Sequence, residues 1–566
     1  VTGNNKKNNL ILFVIIIVAG LVRYWGIAFC LPNTECSIEE KIIINIATQF
    51  GSGDLNPHFF FYPTLYMYAL FFLDTGYFLL GRIIGKYTSV VDFITEFAVN
   101  PSNFYIISRG FAALLGTATV YIVYKIAIRL FDKKTAIISS LFLALAYSHV
   151  RQSHLGTTDI PMVFLVCVSL LFIIKSYEDK TLKSYIGAGI FAGLATSTKY
   201  FAFPLPVSMF VVHFLNIYDI NGKKLTLFFD KKMLFFFSAF LIAFLLGTPF
   251  ALLDFPDFIS FLKHQNKLME SPWGINLGKG WWYHMRYSLF YGLGWPLFFA
   301  SLMGILISIK IDRRKTIILC SFPLVYYFIA GKIYWVFIRY SLPLIPFFCI
   351  TGAVFAGSIS EKFKHPFNKI LTFLIPLLIV SPSTYNIIRS NDLLTRKDNR
   401  LIVAEWINKS IPAGSSIYQS GVIFGKIQIY PTLESLEEMY KDIISKGDKG
   451  RMLKAQIEYY RRNNIHGYEV WTYDVRLRKF RFRSEEKDAL PDYIILQESP
   501  LIAWSRTPVE VEQLSKSYYK LIKSFEVTDI SNQENWFDLQ DSLYLPFVGF
   551  KNIQRPGPNI YIYKRN

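Results

Sequence analysis

Acids, imidazoles and cations recur at the ends of apolar runs in this chain. In order they are Glu35, Glu39, Glu40, Asp54 and His58; Arg109; His149, Arg151, His154 and Asp159; Lys199 with Tyr200; Asp254, His264, His284 and Arg286; and Arg339 with Tyr340. A carboxylate can take the proton of an acceptor hydroxyl. Lys, Arg or His can hold a phosphate and offset the charge it gains on leaving. Together they suit transfer of a group from a lipid-phosphate donor whose tail lies in a bilayer and whose phosphate meets cations at the interface. Ionisable groups are costly near hydrocarbon, so several at one depth on different helices suggest a common site.

The elements that would position them are apolar spans. Hydrophobic residues make up 52% of the chain and charged residues 18%, and runs near the length that crosses about 30 Å of hydrocarbon recur from Leu10 to Ile387. Eleven are expected: 10–30, 104–128, 135–150, 160–175, 184–200, 201–218, 233–250, 287–309, 316–331, 335–357 and 370–387. Lys6 and Lys7 put the N-terminus in the cytoplasm and the three loop-one glutamates outside. Leu10 to Phe29 is longer than the apolar core of a signal peptide and lacks a small-residue cleavage site, so it reads as a retained anchor. Under this threading the clusters Arg129-Lys133-Lys134, Lys175-Lys180-Lys183, Lys223-Lys224-Lys231-Lys232, Lys310-Arg313-Arg314-Lys315 and Lys362-Lys364-Lys369 all face inside. That requires Phe59 to Ile84 not to cross. It is expected as an interfacial or re-entrant helix in the first outer loop.

The odd number of spans leaves the tail outside. Interspersed charges and short apolar runs mark 389–566 as a soluble α/β domain following a transmembrane module over 1–388. Arg396 to Asn408 has helical spacing and ends at Pro412-Ala413-Gly414; Ser416–Gln419, Tyr468–Tyr473 and Tyr493–Gln497 read as strands. The alternating run Arg476 to Arg483 reads as a solvated strand face, with a strip against lipid phosphates as the sharper alternative. The net charge of +19 reflects topology and attraction to anionic membrane lipids, not nucleic acid. Two free thiols are expected at Cys30 and Cys36 in preference to a disulfide, and no zinc spacing is present.

A resemblance follows from ordered motifs. Ile38-Glu39-Glu40 with Gly53-Asp54-Leu55-Asn56-Pro57-His58 through Leu65 resembles the first outer loop of C-type membrane glycosyltransferases of the protein O-mannosyltransferase and aminoarabinose transferase superfamily. Arg109 with Leu114-Leu115-Gly116-Thr117, Ser148 to His154 with Thr158-Asp159-Ile160-Pro161, Thr198-Lys199-Tyr200, and Arg339-Tyr340 through Pro346 follow in that family's order, over roughly residues 10–415. The resemblance implies juxtamembrane helices in loop one and a carboxylate base there. The family's acidic pair is usually Asp-Glu, whereas this chain has Glu39-Glu40, which leaves Glu35 and Glu40 open as alternatives to Glu39.

On that basis Glu39 is expected as general base with Glu40 assisting, against a reading as solvated acids favouring a helix start. Asp159 joins the catalytic set, against an N-cap. Lys199, Tyr200, Arg109, Arg339 and His154 are expected to bind donor phosphate, against snorkelling, structural pairing or a structural imidazole. Asp54 and His58 shape the loop. Glu39, Asp159 and a phosphate would offer oxygen ligands to a divalent cation, as in the distantly similar oligosaccharyltransferase subunits. The nearer relatives work without one and cations are at hand here, so no obligatory metal or other cofactor is expected.

The reading is a multi-pass inner-membrane glycosyltransferase that passes a hexose or pentose, with inversion, from a polyprenyl-phosphate donor to a lipid, glycan or protein acceptor on the outer face. A transporter or flippase would instead predict internal repeats and ionisable groups at mid-bilayer. A non-catalytic scaffold would tolerate Glu39→Gln.

Overall fold

The computed structural model describes residues 2–221, 230–364, 366–447, 449–483 and 485–566, so Lys223 and Lys224 of the third basic cluster lie outside the described residues. The chain forms two compact units. The first comprises Val1–Ile27, Ile43–Phe71 and Ser108–Asn391; the second comprises Ala28–Ile42, Phe72–Ile107 and Asp392–Asn566.

The first unit is helical. Among the described residues five helical stretches of the chain are long and apolar enough to cross a membrane: Ser102–Leu130, Asp159–Asp179, Tyr200–Tyr218, Ile338–Glu361 and Phe367–Ser410. A sixth is reached if Gly280–Leu293 and Trp295–Ile311, bent by 112°, form one span. Gly294 makes the break with φ 80°, a left-handed conformation that glycine adopts without a Cβ penalty, and Trp295-Pro296 restart the helix. Helices stand at the other expected positions but several are shorter: Lys133–Ala144 has 12 residues, and Leu182–Thr198 and Lys231–Gly247 have 17 each. The loop-one segment is helical at Leu65–Ile83 and Val90–Val99, and Leu65–Ile83 is not among the crossing helices. Asp74 in its middle and Arg82 near its end dilute its apolar character.

Small residues set the closest helix approaches. Gly189 and Gly193 lie one turn apart on Leu182–Thr198, and a Cβ on either would fall 2.3 Å from a carbonyl oxygen of Lys231–Gly247, that of Phe236 or of Phe240. Only glycine lets these backbones meet. A Cβ on Gly304 would likewise reach 1.8 Å from the Thr351 carbonyl oxygen, locking Trp295–Ile311 to Ile345–Glu361.

The second unit holds a seven-stranded mixed sheet. Its strands are β1 (Ser416–Gln419), β2 (Glu469–Asp474), β3 (Lys479–Phe482), β4 (Glu485–Lys487), β5 (Tyr493–Glu498), β6 (Tyr519–Phe525) and β7 (Asn559–Arg565), in the order β4-β3-β2-β1-β5-β7-β6. β1 runs parallel to β2 and β5, and the other pairs are antiparallel. Period-two alternation separates two cores. Ile417, Ile495, Ile560 and Ile562 pack under Val403 and Ile407 of the helix Asn399–Ser410, while Tyr418, Ile494 and Leu496 join Trp471, Phe480 and Val511 on the other face.

The run Arg476 to Arg483 is laced with acids rather than bare. Arg478 reaches Glu510 at 3.8 Å, Lys479 Asp488 at 3.1 Å, Arg481 Asp474 at 3.5 Å and Arg483 Glu438 at 2.9 Å. Acids thus stand beside four of the five cations of the run and offset part of their charge toward any anionic surface. Cys30 and Cys36 form a disulfide, contrary to the two thiols expected. Cys30 adopts φ 67° and the turn brings the two Cα atoms to 6.5 Å, within bonding reach, a closure that six-residue spacing alone does not reveal.

Candidate active site

Lys199 is placed by the glycine seam. It caps the C-terminus of Leu182–Thr198 in an extended conformation, its N–H donating to the Ala195 carbonyl at 3.0 Å. Next to it the hydroxyls of Ser197 and Thr248 are 2.7 Å apart, pinning this helix end to the chain after Lys231–Gly247. Extended backbone at Lys199 turns its side chain off the helix, away from the carbonyls of the last turn that would otherwise hold a cation.

That side chain meets Asp159. Nζ donates to Oδ1 at 2.8 Å, with side chains 5% and 1% exposed. Asp159 begins the helix Asp159–Asp179, where a carboxylate is favoured by the positive helix end. The Thr158 side chain makes no cap. Tyr340 and Tyr62 wall the ammonium, with ring centroids 5.4 and 5.9 Å from Nζ. An ammonium has three donors, and among the described residues Lys199 gives one hydrogen bond, to Asp159. The remaining donor capacity, in a desolvated aromatic setting, suits an incoming anion. Tyr200 turns elsewhere: its hydroxyl donates to the Phe60 carbonyl at 3.2 Å, and Phe60 packs on Ala251 and Phe258.

The turn of helix Tyr147–Gln152 and the residues after it are buried throughout. His154 holds Nδ1 2.9 Å from the Val150 carbonyl and Nε2 2.9 Å from the Trp25 carbonyl, so both ring nitrogens are engaged with backbone. Burial pushes its pKa down despite those two carbonyls. Arg109 is fully buried and donates to the Ile27 carbonyl at 2.9 Å. Arg151 donates to the Tyr147 hydroxyl at 3.1 Å. Sequence reasoning passed over Arg23, which is fully buried and donates to the carbonyls of Ala19, Leu143 and Ala144 and lies 3.0 Å from His149 Nδ1. An arginine inside an apolar run is itself a signal, because burying it demands such partners.

Arg339 is half-buried, its guanidinium 3.8 Å from the Phe337 ring centroid, one residue before the Tyr340 ring that faces Lys199. Asp54 and His58 form an exposed pair at 2.9 Å, and the hydrogen bond from His58 holds the Asp54 carboxyl below its usual range. Asn56 between them donates to Asp254 at 2.7 Å, which fixes the loop. The three loop-one glutamates belong to the second unit. Glu39 and Glu40 are 6% and 0% exposed in the first turn of Ile38–Gln49, and Glu35 is ion-paired with Lys41. Among the predicted residues, then, Asp159 and Lys199 meet, as do Asp54 and His58.

Among the described residues one cluster has ligand atoms close enough for a metal: Cys30, Cys36 and Asp398. Its donor set does not fit a cation. The two sulfurs are joined as a disulfide, and Nη2 of Arg400 lies 2.9 Å from Cys36 Sγ and 3.3 Å from Cys30 Sγ.

Residues 102–251, which contain Arg109, His154, Asp159, Lys199 and Tyr200, match the family model described as dolichyl-phosphate-mannose-protein mannosyltransferase. The resemblance drawn from the motifs is borne out over this segment. Among solved structures the chain is similar to the apo oligosaccharyltransferase of Archaeoglobus fulgidus (12% identity, TM-score 0.51, 99% of this chain and 88% of that one). It is also similar to ArnT from Cupriavidus metallidurans bound to undecaprenyl phosphate (11% identity, TM-score 0.48, 97% of each chain). No curated protein matches the chain. The first likeness establishes the fold: a membrane-type helical module with a C-terminal sheet domain.

Proposed function

We propose that this protein is an inner-membrane glycosyltransferase with eleven spans that transfers one hexose or pentose from a polyprenyl-phosphate donor to an acceptor hydroxyl on the outer face. The family description over residues 102–251 names a dolichyl-phosphate-linked sugar, and a phosphate of that class needs what Lys199 offers. The observation that carries the reading is the buried Lys199 ammonium, which among the described residues gives one hydrogen bond, to Asp159, and is walled by two tyrosines.

In this mechanism a loop-one carboxylate, Glu39 with Glu40 assisting, takes the acceptor proton. The acceptor oxygen attacks the anomeric carbon opposite the phosphate, the glycosidic C–O bond to phosphate breaks, and the configuration inverts. The polyprenyl phosphate leaves with the bonding electron pair, its charge met by Lys199, with Arg109 and Arg339 as further cations. Asp159 aims Lys199, accepting its one ammonium hydrogen bond among the described residues in a buried ion pair. The first unit supplies donor binding and the tail helps select the acceptor. No step needs a metal.

The test is transfer of radiolabelled sugar from a panel of polyprenyl-phosphate sugars by purified protein in detergent, with and without chelator. Wild type is expected to transfer or slowly hydrolyse one donor, Glu39→Gln and Asp159→Asn to lose it, and chelator to change nothing. Loss on chelation would bring in a divalent cation, and a folded protein that neither binds nor turns over any donor would remove the reading.

A further inference from the structure

A buried charge in the second unit has no part in that mechanism. Arg400 is 1% exposed and Asp398 2%. Nε and Nη2 of Arg400 donate to the two carboxylate oxygens of Asp398 at 2.9 and 2.8 Å. Nη1 donates to the carbonyls of Phe424 at 2.7 Å and Glu35 at 3.3 Å. Nη2 also touches both sulfurs of the Cys30–Cys36 disulfide, and the guanidinium lies 5.0 Å from the Tyr544 ring centroid. Asp398 in turn caps the helix Asn399–Ser410, accepting the Arg400 N–H at 2.9 Å.

Every nitrogen of the guanidinium is thus spent. A buried ion pair rarely adds stability over an apolar pair, so its retention calls for a geometric reason. The geometry is a planar fork, which lysine cannot copy, converging on the bridged turn from Cys30 to Cys36. Two residues after Cys36 begins the helix Ile38–Gln49, whose first turn carries Glu39 and Glu40. Three residues of chain span at most about 10 Å, so whatever fixes Cys36 fixes the start of that turn.

We propose that Asp398, Arg400 and the Cys30–Cys36 disulfide form a clamp by which the C-terminal domain positions the loop-one carboxylates, making Arg400 a positioning residue 365 positions from Glu35 in sequence. This rests on the reading that Glu39 or Glu40 is the base. A carboxylate displaced by an ångström costs turnover far more than donor binding.

The test compares wild type, Arg400→Lys, Arg400→Met, Cys30→Ser/Cys36→Ser and the charge-free pair Asp398→Leu/Arg400→Met, as full-length protein in detergent. Steady-state transfer is read together with hydrogen exchange over residues 36–42. The clamp predicts that Arg400→Met and the charge-free pair lower kcat by ~100-fold with donor KM within about threefold of wild type. Arg400→Lys recovers part of kcat, and exchange at 36–42 rises at least ~10-fold while β1 and β5 stay protected. Adding the serine pair to Arg400→Met should cost nothing further, since both break one clamp. The charge-free pair guards against misfolding, because it leaves no orphaned carboxylate. Unchanged exchange and unchanged kcat in that pair, with Glu39→Gln inactive, would overturn the clamp and spare the mechanism. Full activity in both Glu39→Gln and Glu40→Gln would overturn the mechanism and with it the positioning role.

Discussion

Two buried cations, each paired with an aspartate, are used in opposite ways. Arg400 in the second unit gives hydrogen bonds or contacts from every nitrogen, to Asp398, two carbonyls and a disulfide. Lys199 in the first unit gives one among the described residues, to Asp159, and is faced by two tyrosine rings. A saturated guanidinium has nothing left for a ligand and can serve only to hold chain in place. An ammonium with donors in reserve still has hydrogen-bond capacity, and in a low-dielectric setting a phosphate oxygen can take it up.

The sharpest way to break that contrast is to remove Lys199. Lys199→Met alone takes the ammonium away from the buried Asp159 carboxylate, a change on the order of 3–5 kcal/mol for breaking a buried pair, which confounds activity with folding. Lys199→Met/Asp159→Leu removes both charges. The melting temperature is expected to return close to wild type while kcat/KM for transfer stays at least ~100-fold down, the scale of losing one charged transition-state contact. Activity that returned with stability would make the pair structural, like Asp398 with Arg400.

The next prediction concerns a carboxylate that meets no cation among the described residues. Asp74 is 5% exposed in Leu65–Ile83, and burial pushes its pKa up to about 7. With the folded pKa above the unfolded one, the native state binds the extra proton. Its favourable contribution is therefore complete below about pH 4 and is lost as pH rises to about 7, at a cost of ~4 kcal/mol if the full shift is expressed. Chemical denaturation across that window should show stability falling with pH in wild type, with the fall much reduced in Asp74→Asn. A profile unchanged by the substitution would show Asp74 already ionised.

Smaller effects test the scaffold. Gly193→Leu must push the Lys199-bearing helix off Lys231–Gly247, costing about 1–3 kcal/mol and lowering transfer through misplacement. A stability loss without any loss of transfer would separate the glycine seam from the site. At the bottom of the scale, Arg461→Gln removes an exposed pair with Glu437 and should change stability by less than about 1 kcal/mol. Neutralising Arg478, Lys479, Arg481 and Arg483 together should leave sedimentation with anionic vesicles unchanged, because acids already meet them.

Much of this was legible in the residues because it is local. Hydrophobic periodicity located helices at the expected apolar runs, and alternation predicted β1 residue for residue and most of β2 and β5. The tail helix starts at Asn399 rather than Arg396 because the Asp398 side chain caps it there, a preference visible only once the competing residues are known. Lys199 and Asp159 were found as family motifs, but their 2.8 Å pairing across 40 residues was not. Arg400 looked like any basic residue on an amphipathic helix, since the loop-one carbonyl and disulfide it meets lie hundreds of residues away and leave no spacing to read. β6 and β7 escaped for the same reason: β7 is specified mainly by pairing with β5 and β6 from distant parts of the chain.

The central claim is that the Lys199 ammonium receives the phosphate of a polyprenyl-linked sugar. Its most direct test is equilibrium binding of a polyprenyl phosphate to purified wild type and to Lys199→Met/Asp159→Leu, both shown folded by thermal melting. The account predicts saturable binding by wild type and affinity at least ~10-fold weaker in the charge-free pair, about the worth of one charge-assisted hydrogen bond. Equal affinity in the two proteins would contradict it and move the donor phosphate away from Lys199.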